Sequence, residues 1–190
     1  MSYTTLGTDY RLYNGQYYEV NAKNSGINQK ILDKFLGQLA IMEERHNKLF
    51  AYIFILDVQT SADTNKIMSD FNPKLERHFK RYQKVNAMAW QWVREKVNDK
   101  PEHYHQMIIL DGNKVQHISR IYKPMLDIWK SVGGNHIHRP ENPFYNYKRG
   151  DYKTMADIIY RVSYLAKNAT KYNNPKQTKN YATSRIKPNI

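Results

Sequence analysis

At 190 residues, with 41% hydrophobic side chains and no cysteine, the chain has material for one domain with a sizeable core, and disulfide scaffolds, thiolate metal sites and cysteine nucleophiles are excluded. Lysine and arginine number 30 against 17 aspartate and glutamate, a net charge of +13 that would repel itself in a compact fold unless a polyanion is the partner. The 16 tyrosines add flat rings that stack on unpaired bases, so nucleic acid is the leading partner. No apolar run approaches the ~20 residues of a membrane helix. Met1–Asn14 lacks both a basic start and an apolar stretch, and the expected setting is a bacterial cytoplasm with no membrane partner.

In chain order, Met1–Gly26 reads as tyrosine-rich and irregular, with one short extended piece around Gln16–Val20. Ile27–His46 carries Ile31, Phe35, Leu36, Leu39 and Met42 at helical spacing, with Asn24 or Ser25 as the expected cap. Phe50–Val58 (FAYIFILDV) is apolar almost throughout, which predicts a strand covered on both faces. Ser61 or Asp63 should cap a helix running to about Lys84 and interrupted near Pro73. Ala87–Lys96 and His103–Leu110 read as two strands of an antiparallel hairpin closed over a short polar loop.

Gln116–Ser131 is helical in pattern with a kink expected at Pro124. Gly133–Gly150 reads as a Gly/Pro/His/Tyr loop, and Tyr152–Lys171 as a strongly amphipathic helix. Little regular structure is expected from Tyr172 onward, and Tyr164–Ile190 holds six Lys/Arg and no acid. The organisation expected is an arm and helix over 1–47 packed on a core at 48–171, with a basic tail at 172–190. The fold class is α+β: a central antiparallel sheet of about four or five strands, helices mainly on one face, and the open face left for a metal and DNA.

Three features carry chemistry. His103 and His105, two apart on a strand, point to one face and can share a metal ion, although two solvated histidines at a strand start would look the same. The hairpin brings Glu95 roughly opposite His103 or His105. Two nitrogens and a carboxylate with open positions suit a divalent ion that also holds a substrate oxygen. On the last helix, Tyr164 and Lys167 are three apart and so are surface neighbours. A phenol beside an ammonium and a cation-bound phosphate is a workable nucleophile, though an interfacial tyrosine and a snorkelling lysine share the pattern. A second pair, His136 and His138, follows Gly133-Gly134 in the expected loop and lacks an apolar strand behind it.

His103-Tyr104-His105 before an apolar strand, followed by the Tyr-x-x-Lys of Ser163–Lys167 (SYLAK), resembles the HUH endonucleases, most closely the inovirus (filamentous phage) replication initiators and their prophage relatives. FILDVQT at Phe54–Thr60, WVRE at Trp92–Glu95, HRPENPFY at His138–Tyr145 and ATSR at Ala182–Arg185 extend the resemblance over roughly Phe50–Arg185. It implies a ferredoxin-like HUH fold and a single-strand DNA nickase and strand transferase that starts rolling-circle replication through a 5′-phosphotyrosine. His103, His105 and, as third ligand, Glu95 would hold Mg²⁺ or Mn²⁺, Tyr164 would attack, and Lys167 would neutralise the phosphate. Relatives with two tyrosines place the second four residues later, where this chain has Asn168, so a one-tyrosine enzyme is expected unless Tyr160 or Tyr172 substitutes.

The expected partner is a single-stranded DNA origin, hairpin-shaped or not, contacted by Lys171, Lys176, Lys179, Arg185 and Lys187. A host helicase or polymerase would supply unwinding and synthesis. A non-catalytic protein occupying a phage or prophage origin is the main alternative reading, and an RNA-binding module the third.

Overall fold

A computed structural model describes residues 9–23, 25–96, 101–167 and 179–188. The chain opens with a hairpin, β1 (Asp9–Tyr13) and β2 (Gln16–Val20). Asn14 and Gly15 form its two-residue turn at φ 48° and 79°, the left-handed pair that matches strand twist in a hairpin. Tyr13, Tyr18 and Val20 are buried, and the Asn21 N–H donates to Ser163 Oγ at 2.8 Å, so this segment is packed on the core.

Helix α1 (Gln29–Arg45) buries the five apolar residues expected of it, plus Leu32. Asn28 caps it, accepting from the Ile31 N–H at 3.3 Å, where Asn24 or Ser25 had been expected. Strand β3 (Lys48–Val58) is 11 residues long and nearly all buried. It pairs with β5 (His103–Asp111) on one side and with β6 (Gly134–His138) and β7 (Phe144–Lys148) on the other. Beyond β5 come β4 (Ala89–Glu95) and, at the edge, β8 (Tyr181–Thr183); every pairing is antiparallel.

The fold is thus α+β, with six strands in the main sheet instead of four or five. Its helices do not lie mainly on one face. Alternation along β3 sends Leu49, Ala51 and Ile53 to a core with α1 and α4 (Tyr152–Ser163). Phe50, Tyr52 and Phe54 go to a second core with α2 (Lys66–His78) and α3 (Tyr122–Ser131). A strand apolar on both faces requires both to be covered. Among the described residues both faces of the middle of the sheet are covered, and Glu95, His103 and His105 lie at its end.

Other boundaries moved for identifiable reasons. Asn65 precedes α2 without capping it, because its side chain accepts from Tyr104 Oη at 3.0 Å and Arg94 Nη1 at 3.3 Å and donates to the Lys179 carbonyl. Pro73 sits inside α2 without interrupting it, since Met68, Phe71 and Leu75 hold the helix to the sheet. The helix loosens later, in a π-helical turn at Phe79–Gln83 that stops at Lys84 with φ 57°. Pro124 lies in the first turn of α3, where its missing N–H costs nothing, so no kink forms.

The supposed loop at Gly133–Gly150 contains β6 and β7, and the supposed tail contains β8. At the start of β6, Trp129 donates to the Asp57 carbonyl at 2.9 Å and fills the space beside Gly134, where a Cβ would come within 2.1 Å of the indole. Among the described residues no helix is long and apolar enough to cross a membrane.

Helix α4 starts at Asp151, whose carboxylate accepts from Thr154 N at 3.0 Å and Thr154 Oγ1 at 2.6 Å; these bonds hold it below the usual carboxylate range. It ends at Ser163, short of the expected Lys171, and passes into a 3₁₀ turn at Tyr164–Ala166. The Ala166 carbonyl accepts the Asn28 N–H at 2.8 Å, and Lys167 forms an antiparallel bridge with Ile27. The chain entering α1 therefore fixes where α4 stops. Residues 168–171 of the expected helix lie outside the described residues.

Candidate metal centre and nucleophile

Strands β4 and β5 pair with Glu95 directly opposite His103 and Val93 opposite His105. Directly opposed residues of an antiparallel pair share a face, and so do residues two apart on one strand. Glu95, His103 and His105 therefore converge: one ligand atom from each lies within 4.8 Å of the others. Glu95 Oε2 is 3.1 Å from His105 Nε2 and 3.6 Å from His103 Nε2, and the two imidazole centroids are 5.0 Å apart. Glu95 and His105 form the floor and His103, 27% exposed, the mouth. Ligands at about 2.0–2.2 Å from a shared ion sit about 3 Å apart, so this donor set fits a divalent cation. Among the described residues no other set of three such groups meets this spacing.

On the far side of the same hairpin the neighbouring residues are tied down by a buried network. Arg94 Nη2 and Glu102 Oε1 are 2.9 Å apart, each side chain 1% exposed. Arg94 also donates to the Ala62 carbonyl at 2.5 Å, and Glu102 accepts the Ala62 N–H at 3.1 Å. Tyr104 joins through Asn65; burial, partly opposed by the Arg94 charge, pushes its phenol up to about 12, so it remains a donor. Arg94 and Glu102 each adjoin a ligand, Glu95 and His103, so the network holds both strand ends in register. Glu102→Ala leaves the Arg94 guanidinium buried without its carboxylate and should cost about 3–5 kcal/mol. Urea denaturation checks this; a loss below ~1 kcal/mol would contradict it.

Tyr164 opens the 3₁₀ turn after α4 and is 44% exposed. Its ring centroid lies 6.0 Å from that of His105, with the planes at 63°. Lys167 Nζ stands 5.3 Å from the Tyr164 ring centroid. The two residues were expected on one α-helical face. They meet because a turn of three residues also aligns i with i+3. Tyr160, a turn back, is exposed into a separate cleft with Asn142, Tyr145 and Arg161, and Tyr172 lies outside the described residues.

His136 and His138 lie on a strand instead of a loop, both exposed, with centroids 6.0 Å apart. His138 Nε2 is 2.5 Å from Asp57 Oδ2, and Asp57 is the cross-strand neighbour of His103. Sequence reasoning passed over Asp57; a lone carboxylate in the apolar run of Phe50–Val58 was the available signal. Of the basic residues, Lys171 and Lys176 lie outside the described residues. The Lys179 carbonyl is bonded to Asn65, near the Glu95 end of β4, since Asn180 pairs with Arg94. Arg185 and Lys187 are exposed and follow β8 toward the opposite end of β4.

Fold and site together define a basic α+β chain with a His/His/Glu metal-type cluster beside an exposed tyrosine and a lysine. The YagK/YfjJ C-terminal domain family matches residues 14–184, and the chain belongs to that family. No curated protein and no solved structure matches it.

Proposed function

We propose that the chain is a metal-dependent single-strand DNA nickase and strand transferase of HUH type, akin to the inovirus replication initiators, acting through one tyrosine. The observation that carries this reading is the placement of Tyr164 against His105, with Lys167 beside it and Glu95 and His103 completing the donor set. Glu95, His103 and His105 would hold Mg²⁺ or Mn²⁺, which when bound draws charge from the phosphate oxygens. Tyr164 Oη attacks phosphorus in line with the departing 3′ oxygen. The new bond joins Tyr164 to the 5′ phosphate; the P–O3′ bond breaks, and the 3′ oxygen takes up a proton to leave a 3′ hydroxyl that primes synthesis. The phenolic proton passes to water. Lys167 offsets the charge gathering on the phosphate and favours the phenolate. Reversal by another 3′ hydroxyl transfers the strand.

The test is incubation with labelled single-stranded copies of the DNA flanking its own gene, with Mn²⁺, Mg²⁺ and EDTA arms, read on a denaturing gel. Cleavage at one position with either ion and none with EDTA is expected. Retention of that DNA without cleavage in any arm would favour an origin-occupying protein instead.

A further inference from the structure

A second charged feature lies away from the metal cluster. Between the end of α1, the end of α2 and its π-helical turn, and the segment after β8 is a cleft of about 560 Å³. Its lining includes five cations, Arg45, Arg77, Lys80, Arg185 and Lys187, and one carboxylate, Glu76. Glu76 is already engaged, accepting from the Trp90 indole at 2.7 Å. None of the five cations forms an ion pair among the described residues. Arg45 is held in place by donating from Nη2 to the Lys187 carbonyl at 2.5 Å, while its Nε is buried with no hydrogen-bond partner. Three chain segments distant in sequence thus gather like charges that repel one another, an arrangement that is offset when an anion enters.

We infer that this cleft is a separate phosphate-backbone site that grips DNA away from the scissile bond. The inference rests on the nickase reading for the identity of the polyanion. Strand β4 sets the span: Met88 lines the cleft, and Glu95 lies seven residues along. At ~3.3 Å per residue the two sites are about 23 Å apart. Stacked nucleotides rise ~3.4 Å each, so the cleft meets phosphates about seven nucleotides from the nick. Its cations supply affinity and orientation, and the chemistry is left to Tyr164. The shared ligand chemistry is a DNA phosphodiester backbone, whether single-stranded or the stem of a hairpin.

The experiment compares the full chain with an Arg77→Gln/Lys80→Gln/Arg185→Gln variant, all three positions being exposed. Fluorescence anisotropy with a labelled single strand and with a labelled hairpin gives affinity as a function of salt. Each phosphate neutralised contributes about −0.7 to the slope of log affinity against log salt for single strands and about −0.9 for duplex. The variant's slope should be shallower by about two units if the cleft holds a single strand and by about three if it holds duplex. A roughly fourfold rise in salt then costs the parent about twenty-fold more affinity than the variant for single strands. Arg77→Lys/Arg185→Lys should keep the parental slope, which separates charge from folding. An unchanged slope on both DNAs overturns the cleft, whether or not the chain nicks. A flattened slope in a chain that never nicks supports the cleft and removes the nickase reading.

Discussion

Replacing His103 and His105 together with alanine should abolish Mn²⁺ binding in calorimetry, a loss of more than about a hundredfold, and with it all nicking. Two of three protein ligands vanish, whereas disturbing even the groups behind a metal ligand typically costs about 10–100-fold. The fold should survive, because His103 lies at the mouth and neither imidazole belongs to the packed apolar layers. Glu95→Gln keeps shape and removes charge; it should weaken the ion by about tenfold or more and leave the two nitrogens in place. Mn²⁺ should bind more tightly than Mg²⁺, since imidazole nitrogen favours the later ion. The internal control is His136→Ala/His138→Ala, which removes the exposed pair, His138 of which is engaged with Asp57, and should leave affinity unchanged. Equal Mn²⁺ affinity with and without His103 and His105 would contradict the site, and a loss in the control would move it to β6.

The His/His/Glu cluster was legible in the sequence because its geometry is local. A two-residue period puts His103 and His105 on one face, and a short loop between two strands puts Glu95 opposite. β3 was legible as a central strand for a related reason, its unbroken apolar run. The edge strands were not: β6, β7 and β8 are short and pair on one side, exposed His, Asn and Lys dilute the alternation of β6 and β7, and β8 is only three half-buried residues long. Only their pairing with β3 and β4, a long-range event, makes them strands. The Asn14-Gly15 turn was a readable hairpin signal that the tyrosine-rich surroundings obscured. The end of α4 at Ser163 depends on Ile27 and Asn28, more than 130 residues earlier, and no helical period encodes that. Helices on both faces followed from β3 itself, whose two apolar sides each require a cover.

Tyr164→Phe should keep the fold and DNA affinity while removing nicking entirely, on the order of a thousandfold or more. The ring is 44% exposed, so loss of one hydroxyl neither opens a cavity nor strands a buried partner. What disappears is the hydroxyl of the ring whose centroid lies 6.0 Å from that of His105 and 5.3 Å from Lys167 Nζ. Lys167→Ala should slow cleavage without preventing it, because the ammonium stabilises charge and forms no bond to phosphorus. Tyr160→Phe should leave cleavage intact, its ring facing the cleft with Asn142 and Arg161. The most direct measurement is mass spectrometry of the protein trapped with nicked single-stranded DNA and Mn²⁺. A nucleotide adduct is expected on the peptide containing Tyr164, lost in Tyr164→Phe and retained in Tyr160→Phe. An adduct on Tyr160 or Tyr172, or cleavage with no adduct on any tyrosine, would contradict the assignment of Tyr164 as nucleophile.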